Sequence, residues 1–424
     1  MKLRASCQDD FDPESLSVAE ARVRIAERLR PVAGTETVAI RDALGRVLAE
    51  EIRAPLDVPP GTNSAMDGYA VRGADLPATG ERPGERRFRL LGHAYAGHPH
   101  TGPVGEGECV RIMTGALVPP DCDTVVIQEH AEELPGEDAV RLAAGTRRGD
   151  NVRAGGEDIR RDDRIFGPGR RLTAADLGLL ASLGLGQAVV RRPLRVAFCS
   201  TGDELRSVGE TLAPGMLYDS NRYTLYGMLR RPGIEQLDLG VVRDESELLE
   251  RAFRDAAARA DVLITSGGVS VGEADRVREV LARIGQMDFW KVAMKPGRPL
   301  AFGRIGEMWL FGLPGNPVSV MVTFHQIVAP ALRRLEGETE PPPPPRFELP
   351  CVSRLRKRPG RIEYQRGCLE RDQDGRLVVR KTGGQGSGIL RSMSLADCYI
   401  LLPEEAGDIE PGSMVSVQPF PTDF

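Results

Sequence analysis

The sequence contains no run of 18 consecutive apolar residues, and its opening stretch, MKLRASCQDDFDPESL, carries no apolar core. The expectation is a protein neither exported by a leader peptide nor anchored by a spanning helix. It also lacks any C-x-x-C pair. Seven cysteines stand scattered at 7, 109, 122, 199, 351, 368 and 398, an odd number without the spacing of a disulfide framework or zinc cage, which fits reducing cytoplasm. Positive charge is short as well. Lys plus Arg number 56 against 61 acidic residues, a net of −5, so no chain-wide field would hold a phosphate backbone, and neither nucleic acid nor membrane is the expected partner. What is plentiful is apolar side chains, 41%, beside 28% charged ones, the balance of a globular protein rather than a disordered one. A length of 424 residues exceeds one ordinary core, so two to four domains are expected, at roughly 100 to 200 residues each.

Ser17 followed by Glu20 is a capping box, and Ala21, Ile25 and Leu29 fall one turn apart, predicting a helix over about 16–30. Residues 51–148 break into short alternating runs such as RFRLLGHAYAG and TVVIQEH, separated by Gly and Pro, and predict a small β-domain. Residues 171–192 read as a helix entered at Thr173 and stopped near Gly184 or Gly186, then a strand. Packing of this segment on the first helix is expected, which makes the β-domain an insertion into a discontinuous domain of 15–50 and 149–192. From 193 to 338 apolar runs (LRVAFCS, LDLGVV, DVLITS, MWLFGL) alternate with amphipathic helices (SELLERAFRDAAARA, EADRVREVLARIG). That alternation predicts a doubly wound, mainly parallel α/β domain with both faces covered. Five prolines at 341–345 read as a stiff linker, and 346–424 as a further β-domain.

In such a sheet, ligands bind outside the carboxyl ends of the strands, so the residues just after each apolar run carry the information. There stand Glu204, Asp244 after Arg243, the stretch Ser266, Gly267, Gly268, Val269, Ser270, Val271, Gly272 leading to Asp275, and Lys295 before Pro296 and Gly297. Glycines in a strand-to-helix turn let backbone N–H groups approach an anion at a helix start. By its glycines alone the stretch reads first as a tight turn, and it is neither a Walker A loop nor a Gly-x-Gly-x-x-Gly fingerprint. Its acidic company turns the reading toward phosphate plus metal. Two carboxylates about 4 Å apart repel by roughly 4 kcal/mol at an effective dielectric of 20, and a divalent cation resolves the conflict. Oxygen-only ligands beside phosphate indicate Mg²⁺, held by Glu204, Asp244 and Asp275, with Lys291 and Lys295 balancing the remaining charge. Read singly, Asp244 and Glu273 are also ordinary helix-start charges. The loops containing Asp67 (NSAMDGY) and Asp158 (GGED) are within reach of a substrate, but read locally they are first of all turns, with an Asx hydrogen bond accounting for each aspartate. His98-Pro99-His100 has no third ligand nearby and reads as a solvated loop. Cys199 reads as a small buried hydrophobe, and the run Arg354–Arg358 as a charged edge strand.

Taken together, NSAMDGYAVR (63–72), RIMTGALVP (111–119), GEDI (156–159), STGDEL (200–205), YDSNRY (218–223), TSGGVSVGEAD (265–275), KVAMKPGRPLAFG (291–303) and LPGNPVS (313–319) resemble the MoeA-type molybdopterin molybdenumtransferases, which are related to the C-terminal domain of gephyrin. The resemblance runs from about 15 to 415. It implies four domains: the discontinuous linker domain, the inserted β-domain, the α/β domain that binds molybdopterin and nucleotide, and a C-terminal β-barrel, paired as a homodimer with the cleft between subunits. It also implies a Mg²⁺-dependent reaction in which molybdate, as substrate, is inserted into adenylylated molybdopterin with release of AMP. By matching motif, Asp67, Asp158, Glu204, Asp244, Asp275, Lys291 and Lys295 are the implied catalytic set. Thr114, Arg153, Ser266, Gly267, Gly268, Ser270, Gly272, Arg298, Pro314, Pro317 and Ser387 are the implied substrate-binding residues. Arg298 stands where the family carries lysine as often as arginine. A transient contact with the adenylylating enzyme is a further implied partnership.

Two other functions share part of this text. Molybdopterin adenylyltransferases have the TSGG-type α/β domain, but the extra β-domains and NSAMDGYAVR argue against that activity. A gephyrin-like, non-catalytic scaffold would use an appended domain or long linker that this sequence does not supply.

Overall fold

The structure is a computed structural model and describes residues 14–76, 86–268, 276–339 and 341–421. Its contacts divide the chain into two compact units. One holds the residues up to Ala49, Pro168–Thr173 and everything from Gln187 onward; the other holds Glu50–Gly167 and Ala174–Gly186.

The larger unit is built on a six-stranded sheet of β1 (Leu194–Thr201), β2 (Ile234–Val242), β3 (Val262–Ser266), β4 (Gln286–Lys291), β5 (Pro299–Ile305) and β6 (Met308–Leu313), in the order β2-β1-β3-β6-β5-β4. Strands β2, β1, β3 and β6 are parallel, and β5 runs against both β6 and β4. Two reversals restore direction, so β4 runs with the parallel set and Lys291 ends on the same edge as Thr201, Val242, Ser266 and Leu313. The mainly parallel sheet is as expected. Strand β5 was not: its text, RPLAFGR, begins in a KPGRP turn whose prolines break the apolar run.

Both faces of the sheet are covered, which is why its strands read as continuous apolar runs. Along β1, Leu194, Val196 and Phe198 enter one core and Ala197 and Cys199 the other. The first core also takes Val18, Ala21, Ile25 and Leu29 from α1 (Val18–Arg28) and its flank, and Leu225 and Leu229 from α2 (Asn221–Leu229). The second is closed by Leu249 and Phe253 of α3 (Ser246–Ala257) and Val277, Val280 and Leu281 of α4 (Arg276–Ile284). After β6 the chain enters α5 (Pro317–Thr323), loosens into a π-helical turn over Phe324–Val328, and tightens into α6 (Ala329–Leu335). The capping box predicted at α1 is present: Glu20 N–H donates to Ser17 Oγ at 3.1 Å and Ser17 N–H to Glu20 Oε2 at 2.8 Å.

A second sheet in this unit pairs Met294–Lys295, Ile362–Arg371, Cys398–Leu402, Met414–Pro419 and Phe347–Pro350, with Leu377–Lys381 on the other edge of Ile362–Arg371. The Cys351–Val379 bridge joins the last strand back to Leu377–Lys381, and the ring closes around Cys351, Leu355, Val379, Cys398, Ile400 and Val417. Closure leaves few free edges, the usual solution for a small β-barrel.

In the smaller unit a six-stranded sheet is ordered Thr124–Ile127, Gly68–Val71, Glu108–Ile112, Arg86–Ala94, Ala139–Leu142, Ala131–Glu133, with a core on either face. The predicted helix near 173–184 spans Ala174–Ser182. Its expected packing on the first helix is corrected by the cores. Leu183, with Leu179 and Leu185, packs on Ala54 and Ile159 within the smaller unit, while α1 buries its face on the α/β sheet. The segments on either side of the helix return to the N-terminal segment: Arg171 bridges to Val47, and the strand Gln187–Arg191 pairs with Thr35–Ala39. Among the described residues no helix is long and apolar enough to cross a membrane, and all described cysteines are free thiols.

Candidate active site at the carboxyl edge of the sheet

Strands β2 and β3 flank β1, so the connections leave β1 to one side and return on the other. That switch lies beyond the ends of β1 and β3, the place where open α/β sheets seat ligands. Thr201 and Ser266 end these strands side by side, and Thr201 Oγ1 lies 3.5 Å from the Ser266 carbonyl oxygen. Gly267 and Gly268 follow with φ of +95° and +67°. A Cβ on Gly267 would lie 2.6 Å from the Thr201 carbonyl oxygen, and one on Gly268 2.2 Å from Val277 Cγ2. Only glycine fits this turn. Ser270, Gly272 and Asp275 lie outside the described residues.

Acidic groups gather beside the turn. Glu204 is exposed on the loop after β1, and Asp244 sits half-buried after β2. The Asp244 N–H donates to Asp203 Oδ1 at 3.1 Å, and Arg276 Nη1 donates to the Asp244 carbonyl oxygen. Burial, then the nearby Asp203 and Glu204 carboxylates, raise the Asp244 carboxyl above its ordinary value, and Arg276 opposes the shift. Asp244 Oδ1 is buried and makes no hydrogen bond. An unpaired, buried acceptor beside two further carboxylates fits a hard cation with oxygen ligands. Among the described residues, however, no group of three or more His, Cys, Asp or Glu stands close enough to hold a metal by itself; the third carboxylate expected here, Asp275, is not among them.

The basic groups lie farther along the same edge. Lys291 ends β4 opposite Pro299, and its carbonyl accepts from Leu16 N–H at 2.8 Å. Lys295 Nζ is 2.9 Å from Glu363 Oε1, a buried carboxylate whose second oxygen accepts from Gln365 Nε2 at 3.1 Å. Met294–Lys295 also pairs with Ile362–Glu363, so the barrel fixes where this lysine stands. Arg298 is buried, its carbonyl accepting from Val292 N–H at 2.7 Å. Pro317 is the first residue of α5, where its missing N–H costs nothing. The next N–H, of Val318, donates to the Ser387 carbonyl oxygen at 3.1 Å. Ser387 of the barrel is thereby joined to the loop holding Pro314 and Pro317, 70 or more residues away in the chain.

The remaining predicted residues belong to the smaller unit. Asp67 Oδ1 accepts from both the backbone N–H and the hydroxyl of Thr114, each at 2.7 Å. These bonds hold the Asp67 carboxyl below its ordinary value. The aspartate is therefore held by a partner 47 residues on, not by a local Asx turn. Arg153 pairs in register with Asn63, at the start of the same loop. Asp158 N–H donates to the Val58 carbonyl oxygen at 3.1 Å, which lays the GGED loop along the 57–61 segment.

Sequence reasoning gave no individual role to Asp203, to Glu363 or to the residues that open α2. Asp203 was passed over in favour of its neighbour, and nothing local marks Glu363 as the partner of Lys295.

The chain matches three family descriptions in succession: "MoeA N-terminal region (domain I and II)" over 16–184, "Probable molybdopterin binding domain" over 197–334, and "MoeA C-terminal region (domain IV)" over 348–420. It is 39% identical over 405 residues to a molybdopterin molybdenumtransferase of Haemophilus influenzae, covering 96% of this chain and 98% of that protein. The chain belongs to the MoeA family of molybdopterin molybdenumtransferases. Within the family it is also 34% identical to a molybdopterin molybdenumtransferase of Bacillus subtilis, over 90% of this chain and 89% of the relative. A gephyrin of Dictyostelium discoideum is 34% identical, with 58% of that longer protein covered. The MoeA protein structure from Pyrococcus horikoshii superposes with a TM-score of 0.76 at 29% identity, covering 96% of this chain and 99% of that one. The multidomain α/β and β architecture is thus the MoeA architecture.

Proposed function

We propose that this MoeA-family enzyme completes molybdenum cofactor biosynthesis by inserting molybdate into adenylylated molybdopterin, with Mg²⁺ required and AMP released. The observation that carries the reading is the unpaired, buried Asp244 Oδ1 beside Asp203 and Glu204 at the sheet edge, next to a turn that tolerates only glycine. An edge of that kind demands a cation and offers backbone N–H groups to a phosphate. Glu204, Asp244 and Asp275 would hold Mg²⁺, and the bound ion would neutralise them and polarise phosphate oxygens.

The residues of the chain then divide the work. Gly267, Gly268, Ser266, Ser270 and Gly272 seat the anionic part of the substrate, and Thr114 and Arg153 with Pro314, Pro317, Arg298 and Ser387 bind the remainder. Lys291 and Lys295 stabilise negative charge as AMP leaves, Lys295 from a position fixed by Glu363. Asp67 and Asp158 position molybdate or substrate. The working form is a homodimer with the cleft between subunits, in contact with the adenylylating enzyme during transfer. The four-domain division, with boundaries near 50, 149 and 193 and the barrel from 346, is part of the same proposal.

The test is to supply purified protein with adenylylated molybdopterin, molybdate and Mg²⁺ and follow AMP. Release that needs both molybdate and Mg²⁺ supports the reading. Adenylylation of molybdopterin from ATP, with no AMP release from the adenylylated form, would replace it with nucleotidyl transfer.

A further inference from the structure

One side chain ties together the glycine turn after β3 and the proline loop before α5. Asn221 opens α2 and is 7% exposed. Its Nδ2 donates at 2.7 Å to Ser266 Oγ and at 2.7 Å to the Gly315 carbonyl oxygen, partners 45 and 94 residues away. Ser266 ends β3 immediately before the glycine turn, and Gly315 lies between Pro314 and Pro317 on the way to α5. The two loops run close together: a Cβ on Gly315 would lie 3.8 Å from Gly267 Cα.

The orientation of the amide is fixed by chemistry. A carbonyl oxygen can only accept, so the NH₂ end must face Gly315; reversed, two oxygens would meet. Its own Oδ1 is then left buried without a hydrogen-bond partner, an unfavourable arrangement for an amide with no other task. The base from which it reaches is anchored separately, since Asp219 Oδ1 accepts from Ser200 Oγ at 2.9 Å and from Arg222 N–H at 3.1 Å. Because Ser266 Oγ accepts from the amide, the serine keeps its own proton to donate on its other side.

We infer that Asn221 is a positioning residue for the nucleotide-bearing substrate, setting the spacing between the glycine turn and the proline loop and orienting the Ser266 hydroxyl. The inference rests on the proposed reaction and deepens it. A residue that shapes a binding loop without touching the reacting atoms alters substrate binding more than turnover.

The experiment measures AMP release, with molybdate and Mg²⁺, from wild type, Asn221→Ala and Asn221→Ser, alongside AMP binding by calorimetry and folded fraction by circular dichroism. Asn221→Ala is expected to raise KM for adenylylated molybdopterin about 10-fold, with kcat within about threefold of wild type and AMP binding weakened in parallel. Asn221→Ser, whose hydroxyl restores part of the bridge, should fall between; if the alanine variant does not fold, the serine variant is judged by the same criterion. Unchanged KM, with kcat either unchanged or lowered only in proportion to the folded fraction, would overturn the role of Asn221 and leave the reaction standing. Absence of AMP release from wild type would overturn the reaction and this inference with it.

Discussion

Two aspartates show how surroundings assign different work to the same side chain. Asp67 is half-buried, and two bonds from Thr114 stabilise its charged form. Asp244 is pushed the other way by burial and by Asp203 and Glu204. A carboxyl raised in the folded state loses stability as pH climbs from its unfolded value through its folded one, so at neutral pH Asp244 opposes folding. Asp244→Asn is therefore expected to melt no lower than wild type at pH 7, and slightly higher in the absence of Mg²⁺, by calorimetry, while AMP release falls by roughly 100-fold. Thr114→Val should shift the Asp67 carboxyl upward toward its ordinary value in an NMR titration; an unmoved titration would show that the backbone bond alone sets it. Sequence text made Asp67, Glu204 and Asp244 legible because each follows a turn or strand end. It hid Thr114 as the holder of Asp67, Glu363 as the holder of Lys295, and the bridging role of Asn221, because each acts on a partner at least 45 residues away.

Among elements, the start of the turn after β3 is tightly constrained. Gly268→Ala would place a methyl 2.2 Å from Val277 Cγ2 at a φ of +67°, and is expected to cost about 1–3 kcal/mol in denaturant unfolding. Adding Val277→Ala should recover only the steric part, since the positive φ remains. A double variant no more stable than Gly268→Ala would place the conflict elsewhere. Periodicity revealed α1 with its capping box, the parallel strands and the switch from helix to strand because local composition decides these. It did not reveal β5, whose entry is written in turn residues, or the partner of the Ala174–Ser182 helix. An apolar face announces that something covers it, not what. The π-helical turn at Phe324–Val328 is equally silent in sequence; there Gln326 meets Arg22 from α1, with Arg22 Nη2 donating to Gln326 Oε1 at 2.8 Å.

At the scale of the whole molecule, distant segments of the larger unit are joined through a buried ion cluster. Arg171 donates to Glu338 at 3.0 Å and to Glu336 at 3.1 Å, Arg231 to Glu336 at 2.6 Å, and Arg333 to Glu338 at 2.6 Å, with both glutamates buried. Removing one partner strands the others, so Glu338→Ala is expected to lose about 3–5 kcal/mol in denaturant unfolding. Although burial alone would raise the Glu338 carboxyl, its bonds to Arg333 and Arg171 and their charges hold it below its ordinary value. Its contribution is thus present above the unfolded carboxylate pKa, near about 4.3, and is lost as pH falls through the lowered folded value. Wild type should lose thermal stability through that acid range more steeply than Glu338→Ala, and parallel profiles would contradict the assignment. The account as a whole turns on a carboxylate edge that needs a cation in order to act on a nucleotide-bearing substrate. Its most direct test is a titration of Mg²⁺ against AMP release from adenylylated molybdopterin, run in parallel on wild type and Asp244→Asn. The prediction is saturable activation of wild type and a variant that responds weakly even at high Mg²⁺; identical curves for the two proteins, or full release without Mg²⁺, would contradict it.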